Sequence, residues 1–455
     1  MPEKKASTIQ PTISKTEHAD LLITGLWLLP TARQQDAIAN GGVAVAGNRI
    51  IAVGKTEELT ARFPHARRLH EQHGLIMPGL VNTHTHAPMS CFRGLADDLP
   101  LMTWLEDHIF PAEASLTPEI VYQSTLLSLA EMIKSGTTSF CDMYLFAKEV
   151  ARATEQSGMR AWIGEVLYDF PSPNYGELAN GFAYVAEMFA HYQGHPLITI
   201  TADPHAVYTC SPSLLQKLGQ VASDHHCPYV IHLSENAAEI ATCRERYGCT
   251  PVQHLDSLGL LNDRTLAVHC VMLDDQEIEL LAERKVKVVH CPESNMKLAS
   301  GAAPAVRMLK AGITLGLGTD GSASNNDVDM FGEMNTMAKL HKVITMDSTA
   351  MNAETTLHTA TLGGAACLHA EADIGTLTVG KLADLIVLDL NQPHLTPLYN
   401  IPSHLVYAAR GADVLHSIIN GRMVMHNRKL LTLDEEAILT RMGEISRNIL
   451  ASRNR

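Results

Sequence analysis

Six apolar runs in the 455-residue chain end on residues able to ligate a cation or move a proton. They end on His84-Thr85-His86, Asp203-Pro204-His205, His232-Leu233-Ser234-Glu235, His269-Cys270, His290-Cys291 and Thr319-Asp320-Gly321. In an extended chain residues i and i+2 project to one face, so His84 and His86 can reach a single cation. His232 and Asp320, each ending another run, complete three nitrogens and one oxygen. Zinc accepts that donor set, and so do iron(II) and nickel(II). One divalent metal per chain is therefore expected, with zinc first. A lone H-x-H pair is common on protein surfaces, and it is the matching residues on the other runs that make this one a candidate site.

Glu235 follows His232 by three residues, close to any water held at that site, where a carboxylate can shuttle protons. His269 is placed to orient the same water. A cation so held brings the pKa of water from near 16 toward about 7, which supplies a nucleophile at neutral pH. Glu235, His269 and Asp320 are thus the catalytic candidates, with His84, His86, His232 and Asp320 as metal ligands. His290 is expected to be structural.

The elements that must carry these residues alternate. Eight strand-like segments, GLIMPGLVNTHTH, TTSFCDMY, RAWIGEVLYD, LITITADPH, PYVIHLSE, TLAVHCV, VKVVHCP and ITLGLGTDG, are separated by helix-like stretches such as 120–136. Mostly unbroken apolar strands suit a parallel sheet covered on both faces. The pattern predicts an α/β chain with a (β/α)8 TIM-like barrel over 77–376, whose chemistry sits at the C-terminal strand ends. Apolar runs with turns recur at both chain ends. They predict one small composite β domain, a β-sandwich, from 19–76 plus 377–433. A tail over 1–18 and a C-terminal helix over 434–455 complete the expected organisation. Gly316-Leu-Gly318-Thr-Asp-Gly321 matches G-x-G-x-x-G, but it ends the last strand and no helix start follows. Its glycines are expected to make room around Asp320 rather than bind a dinucleotide.

Lys and Arg number 35 against 49 Asp and Glu, a net charge of −14. So acidic a chain disfavours a nucleic acid or an anionic membrane as partner. Nine cysteines at irregular spacing, with no C-x-x-C, fit reduced thiols and a cytoplasmic location. The polar first twenty residues lack a signal peptide's apolar stretch.

PGLVNTHTH, IHLSE, VHC, HCPESNMKLASG, LGTDGSASNN and the closing GKLADLIVLD resemble the amidohydrolase superfamily, in order, over about 20–430. No carboxylated-lysine bridge is evident, which implies the mononuclear branch that deaminates aminated heterocycles. TWLEDHIFPAEASLTPE, SGTTSFCDMY and DPHAVYTCSP are similar to segments of the methylthioadenosine/S-adenosylhomocysteine deaminase family. That resemblance implies a purine nucleoside substrate, deaminated at C6, and a homo-oligomer, dimer or tetramer. It implies Glu113 on the ribose hydroxyls, His205 on the purine ring, and Glu235 and Asp320 in contact with substrate. Trp104 and Ser324 are further carry-overs. Some members hold the polar tail of S-adenosylhomocysteine with arginines after the third strand; here AWIGEVLYDFPSPNYGE offers none, with only Arg160 nearby. Deaminases or chlorohydrolases of guanine, cytosine or s-triazines share the same metal residues and are the alternative. A non-catalytic metal-binding scaffold is a further one.

Overall fold

The computed structural model describes residues 18–99 and 103–453. Apart from His18, the expected N-terminal tail lies outside the described residues. The chain is a mixed α/β protein. Its eight central strands, counted in chain order, are Leu80–Thr85, Thr137–Tyr144, Arg160–Leu167, Ile198–Ile200 with Asp203–Pro204, Tyr229–Leu233, Thr265–His269, Lys287–His290 and Leu315–Leu317. Strands one to four pair in parallel as neighbours, and so do strands five to eight. Parallel bridges Ala202–Tyr229 and Ala206–His232 link the fourth strand to the fifth. Every residue of the first three strands is buried, which is why their sequences show no polar alternation.

Local chemistry explains the helices between the strands. Thr117 accepts the amide hydrogen of Ile120 and Pro118 opens the helix Pro118–Lys134. Ser211 with Pro212 does the same for Pro212–His225, and Asp274 with Glu277 forms a reciprocal cap on Asp275–Glu283. The helix expected over 120–136 thus starts at its cap, and it stops before Gly136, whose φ is +88°.

Two strands differ from their sequence outline. The first expected strand is two: Arg67–Pro78 pairs with the strand Leu21–Leu28 of the end sheet, and only Leu80–Thr85 joins the central set. The chain divides at Gly79, where a Cβ would lie 2.1 Å from Thr138 Oγ1. The fourth strand is broken between Ile200 and Asp203, and Pro204, with no amide hydrogen, limits its pairing there.

Both chain ends contribute to one nine-stranded sheet. Leu385–Asp389 lies antiparallel to Arg67–Pro78, so the sheet joins only after both ends are made. Within 377–433 the helix Ile401–Tyr407 packs Ile401, Leu405 and Val406 into the same core as the central strands. The C-terminal helix Glu435–Arg453 adds Ile438, Met442, Ile445 and Ile449 to that core.

Candidate active site

Hydrogen bonds between the first strand and the eighth position the site. Thr83 Oγ1 donates to the Leu317 carbonyl at 2.8 Å, and the Asp320 amide donates to the His84 carbonyl at 3.0 Å. Asn82 and Thr319 exchange two further hydrogen bonds. A Cβ at Gly318 would fall 2.8 Å from the His84 backbone. The G-x-G-x-x-G glycines therefore serve the approach of two strands. Beyond the strand ends the backbone turns sharply: Ser234, His269 and Asp320 have φ of 52°, 72° and 60°. Residues with side chains rarely adopt this left-handed region, and such strain gathers at functional sites.

The predicted ligands converge. His84 Nε2 lies 3.4 Å and His86 Nε2 3.2 Å from Asp320 Oδ1. Donor atoms of His84, His86 and Asp320 all lie within 4.8 Å of one another, as do those of His84, His232 and His269. Each outer imidazole is fixed through its other nitrogen. His86 Nδ1 bonds the Met143 carbonyl, His232 Nδ1 lies 2.9 Å from the His205 carbonyl, and His269 Nδ1 lies 2.9 Å from Asn295 Oδ1. A carbonyl oxygen only accepts, so Nδ1 carries the hydrogen and Nε2 turns its lone pair inward. His84 is fully buried, and neither of its nitrogens has a hydrogen-bond partner. An imidazole buried with nothing to bond is costly unless a cation uses its lone pair. The residues present therefore fit a single divalent ion.

Charge follows the same pattern. Burial lowers the pKa of His84 to about 4 and takes His232 well below the usual range, so both are neutral at pH 7. Burial alone would raise Asp320, but the His84 and His86 imidazoles beside its carboxylate prevail and hold it well below the usual carboxylate range. Asp320 also accepts from Ser294 Oγ at 2.7 Å and the Gly321 amide at 2.9 Å.

Glu235 and His269 flank this centre. His269 Nε2 is 3.9 Å from Glu235 Oε2 and 4.0 Å from Asp320 Oδ2. Burial raises the Glu235 carboxyl, against the opposing pull of His269. His86, His205, His232, Glu235, His269 and Asp320 all face one cleft. Glu113, Trp104 and Ser324 line it too. Glu113 accepts a hydrogen bond from the Tyr144 hydroxyl at 2.6 Å, and burial raises its pKa to about 7. His205, held by Thr209 Oγ1 at 2.8 Å, is lowered by burial to about 3 and is neutral. His290 does not line the cleft; its Nε2 lies 3.0 Å from that of His341.

Sequence reasoning missed Tyr144, Asn295 and Ser294, which hold Glu113, His269 and Asp320. Tyr144 ends the second strand, and the strand-end rule that found the histidines would have found it. Asn295 and Ser294 sit in the short helix Pro292–Lys297 after the seventh strand, where only the fold reveals their partners. Arg160 is remote from the cleft: it opens the third strand and is paired with Asp384.

The Amidohydrolase family model matches residues 75–424, and an imidazolonepropionase-like bacterial composite domain matches residues 41–66. The chain is 54% identical over 437 residues to the 5-methylthioadenosine/S-adenosylhomocysteine deaminase of Syntrophobacter fumaroxidans, covering 95% of this chain and 99% of that one. It is 43% identical over 439 residues to the 5'-deoxyadenosine deaminase of Methanosarcina mazei, covering 96% and 100%. The crystal structure of an adenosine deaminase from Xanthomonas campestris with bound zinc shares the fold at a TM-score of 0.93 and 41% identity, over 96% of this chain and 99% of that one. With the family match running from the strand Arg67–Pro78 to Arg422–His426 and taking in every residue of the histidine–aspartate cluster, the chain belongs to the amidohydrolase family.

Proposed function

We propose that this chain is a zinc-dependent aminohydrolase that converts adenine nucleosides, 5'-methylthioadenosine among them, to the inosine derivative and ammonia. The observation that carries this reading is His84, buried without a partner among His86, His232 and Asp320, with Glu235 and His269 facing the same cleft. Near full-length identity to deaminases of modified adenosines supports the substrate class over guanine, cytosine or s-triazines. Polar groups converging on an open cleft favour catalysis over a metal-binding scaffold.

His84, His86, His232 and Asp320 would hold the metal. When bound, it supplies electrostatic activation of water. The protein's own groups do the rest. His269 Nε2 and Asp320 orient the water and take its proton. Glu235, whose carboxyl is raised by burial, donates from its protonated form to the ring nitrogen beside C6 as oxygen adds to that carbon. Protons returned through Glu235 and Asp320 convert the amino group to ammonia, and the C6–N bond breaks. Glu113 would accept from the ribose hydroxyls, and His205 would face the purine.

Architecture and location extend the reading. The eight central strands act as one closed (β/α)8 barrel, supported by the bridges from fourth to fifth strand and the bonds from eighth to first. The end sheet acts as a composite domain folded over Leu21, Val43, Ile76, Leu385 and Ile418 like a sandwich, supported by the bridge between Arg49 and Leu382. Its bounds, like those of the barrel and the terminal helix, follow the sequence division given above. Nine free thiols support a cytoplasmic location, and no helix among the described residues is long and apolar enough to cross a membrane. Exposed Val343, Met346 and Tyr399 support a homo-oligomer.

The test is turnover by zinc-loaded protein of 5'-methylthioadenosine, 5'-deoxyadenosine, adenosine, guanine and cytosine, followed by ultraviolet absorbance and ammonia release. Adenine nucleosides are expected to react at least a hundredfold faster than the free bases. Preference for guanine or cytosine would overturn the reading.

A further inference from the structure

The cleft has an order from depth to mouth. His86 stands 5.7 Å from the Tyr144 ring, and Tyr144 bonds Glu113. Phe110 opens the short helix Phe110–Glu113 that carries Glu113. The Phe110 ring lies 6.2 Å from Phe170, and Phe170 stacks on Tyr168 at 3.9 Å with a 16° tilt. Phe170 is 40% exposed and marks the rim, while Tyr168 beneath it is buried. A ligand with its base at the histidine cluster and its ribose at Glu113 therefore sets its 5′ substituent among Phe110, Phe170 and Tyr168.

That mouth is apolar, and the cleft offers an anion no lysine or arginine among the described residues. Glu113, Glu235 and Asp320 line it. Cations bordering the cleft are committed elsewhere. Lys297 Nζ donates to Asp97 at 2.7 Å and also bonds Asn326. Arg246 donates to the Tyr208 carbonyl at 2.6 Å. A phosphate, or the carboxylate of an amino-acid tail, entering this mouth loses water and gains no counter-charge.

We propose that Phe110, Phe170 and Tyr168 form a specificity subsite for an uncharged, apolar 5′ substituent, a thioether or a methyl group, and that the cleft turns away adenine nucleosides bearing a phosphate or an amino-acid tail. The subsite rests on the deaminase reading for its orientation. Two measurements separate the two claims. On the metal-loaded enzyme, kcat/KM for 5'-methylthioadenosine and 5'-deoxyadenosine should exceed that for adenosine 5′-monophosphate and S-adenosylhomocysteine by about a hundredfold or more. Values for either charged compound within tenfold of 5'-methylthioadenosine would overturn the subsite. On the metal-loaded Glu235→Gln protein, calorimetric Kd values should give the same ranking without turnover. Should wild type deaminate none of the four while this ranking holds, the reaction is wrong and the subsite stands; equal Kd values would remove the subsite. Phe170→Arg, a change at an exposed rim, should narrow the gap for both charged compounds at least tenfold. An unchanged gap would likewise overturn the assignment.

Discussion

His269 and Asn295 form a buried pair, with the imidazole Nδ1 2.9 Å from the side-chain oxygen of Asn295. The pair sets the tautomer of His269 and aims Nε2 at Glu235 and Asp320. Asn295→Ala leaves that N–H buried without an acceptor and frees the ring to turn. We expect kcat to fall by about 10–100-fold with metal content unchanged, by analogy with groups that orient metal ligands. Asn295→Asp keeps an acceptor and should recover part of the loss. Alanine-variant kcat within twofold of wild type would leave Asn295 a packing role only.

His84 has no hydrogen-bond partner for either ring nitrogen, and Nε2 stands 3.4 Å from Asp320 Oδ1. His84→Ala should therefore lower zinc per chain well below one, read by elemental analysis after dialysis. Thermal stability of the metal-free protein should change less than that of the metal-loaded protein, because the bound ion stabilises the folded chain through this ligand. Undiminished stoichiometry would remove His84 from the ligand set.

Glu235→Gln retains the shape of the side chain and removes the transferable proton. General acid–base groups contribute typically about 10²–10⁴-fold. We expect a kcat loss in that range with a full complement of zinc. Near-normal turnover would assign proton transfer to another group.

Much of this site was legible in the chain because histidines and carboxylates at strand ends leave a local mark. His84 and His86 show it by their spacing, and His232 and Asp320 by ending apolar runs. Parallel strands buried on both faces likewise read as unbroken apolar segments. The supporting contacts left no such mark. Asn295 meets His269 across 26 positions, and Ser294 meets Asp320 across the same span. Only folding brings them together. The division at Gly79 was hidden for a similar reason: an apolar strand of the end sheet runs directly into an apolar central strand, and the close approach of Thr138 that requires glycine is a tertiary contact.

Glu113 offers a pH signature. Burial raises its pKa to about 7, so its carboxylate, the form able to accept from both ribose hydroxyls, is lost as pH falls through about 7. The ratio of kcat/KM for adenosine to that for 2′,3′-dideoxyadenosine isolates those hydroxyls from the chemistry at C6. That ratio should fall on the acid side of pH 7 in wild type. In Glu113→Gln it should be lower by about 10–100-fold at pH 8, the worth of hydrogen bonds to a charged group, and flat with pH. A wild-type ratio that does not move between pH 6 and 8 would take Glu113 off the ribose.

Arg160 and Asp384 tie the third central strand to the end sheet. Arg160 Nε lies 2.7 Å and Nη2 3.2 Å from the two Asp384 oxygens, and both side chains are buried. The Asn420 amide adds a third bond to Asp384 at 2.6 Å. Removing one partner leaves a buried charge uncompensated, at a cost of about 3–5 kcal/mol. Asp384→Ala should therefore lower unfolding stability by that order, measured by urea titration of the metal-loaded protein. Asp384→Ala combined with Arg160→Met should cost less than Asp384→Ala alone, because the stranded guanidinium is gone. The pair lies at the start of a strand whose other end, Leu167, leads into Tyr168 at the cleft. KM for 5'-methylthioadenosine should thus stay within about twofold of wild type at temperatures where the variant remains folded. A large KM change at full folding would mean that the end sheet reaches the cleft through the third strand, and that the composite domain takes part in substrate binding.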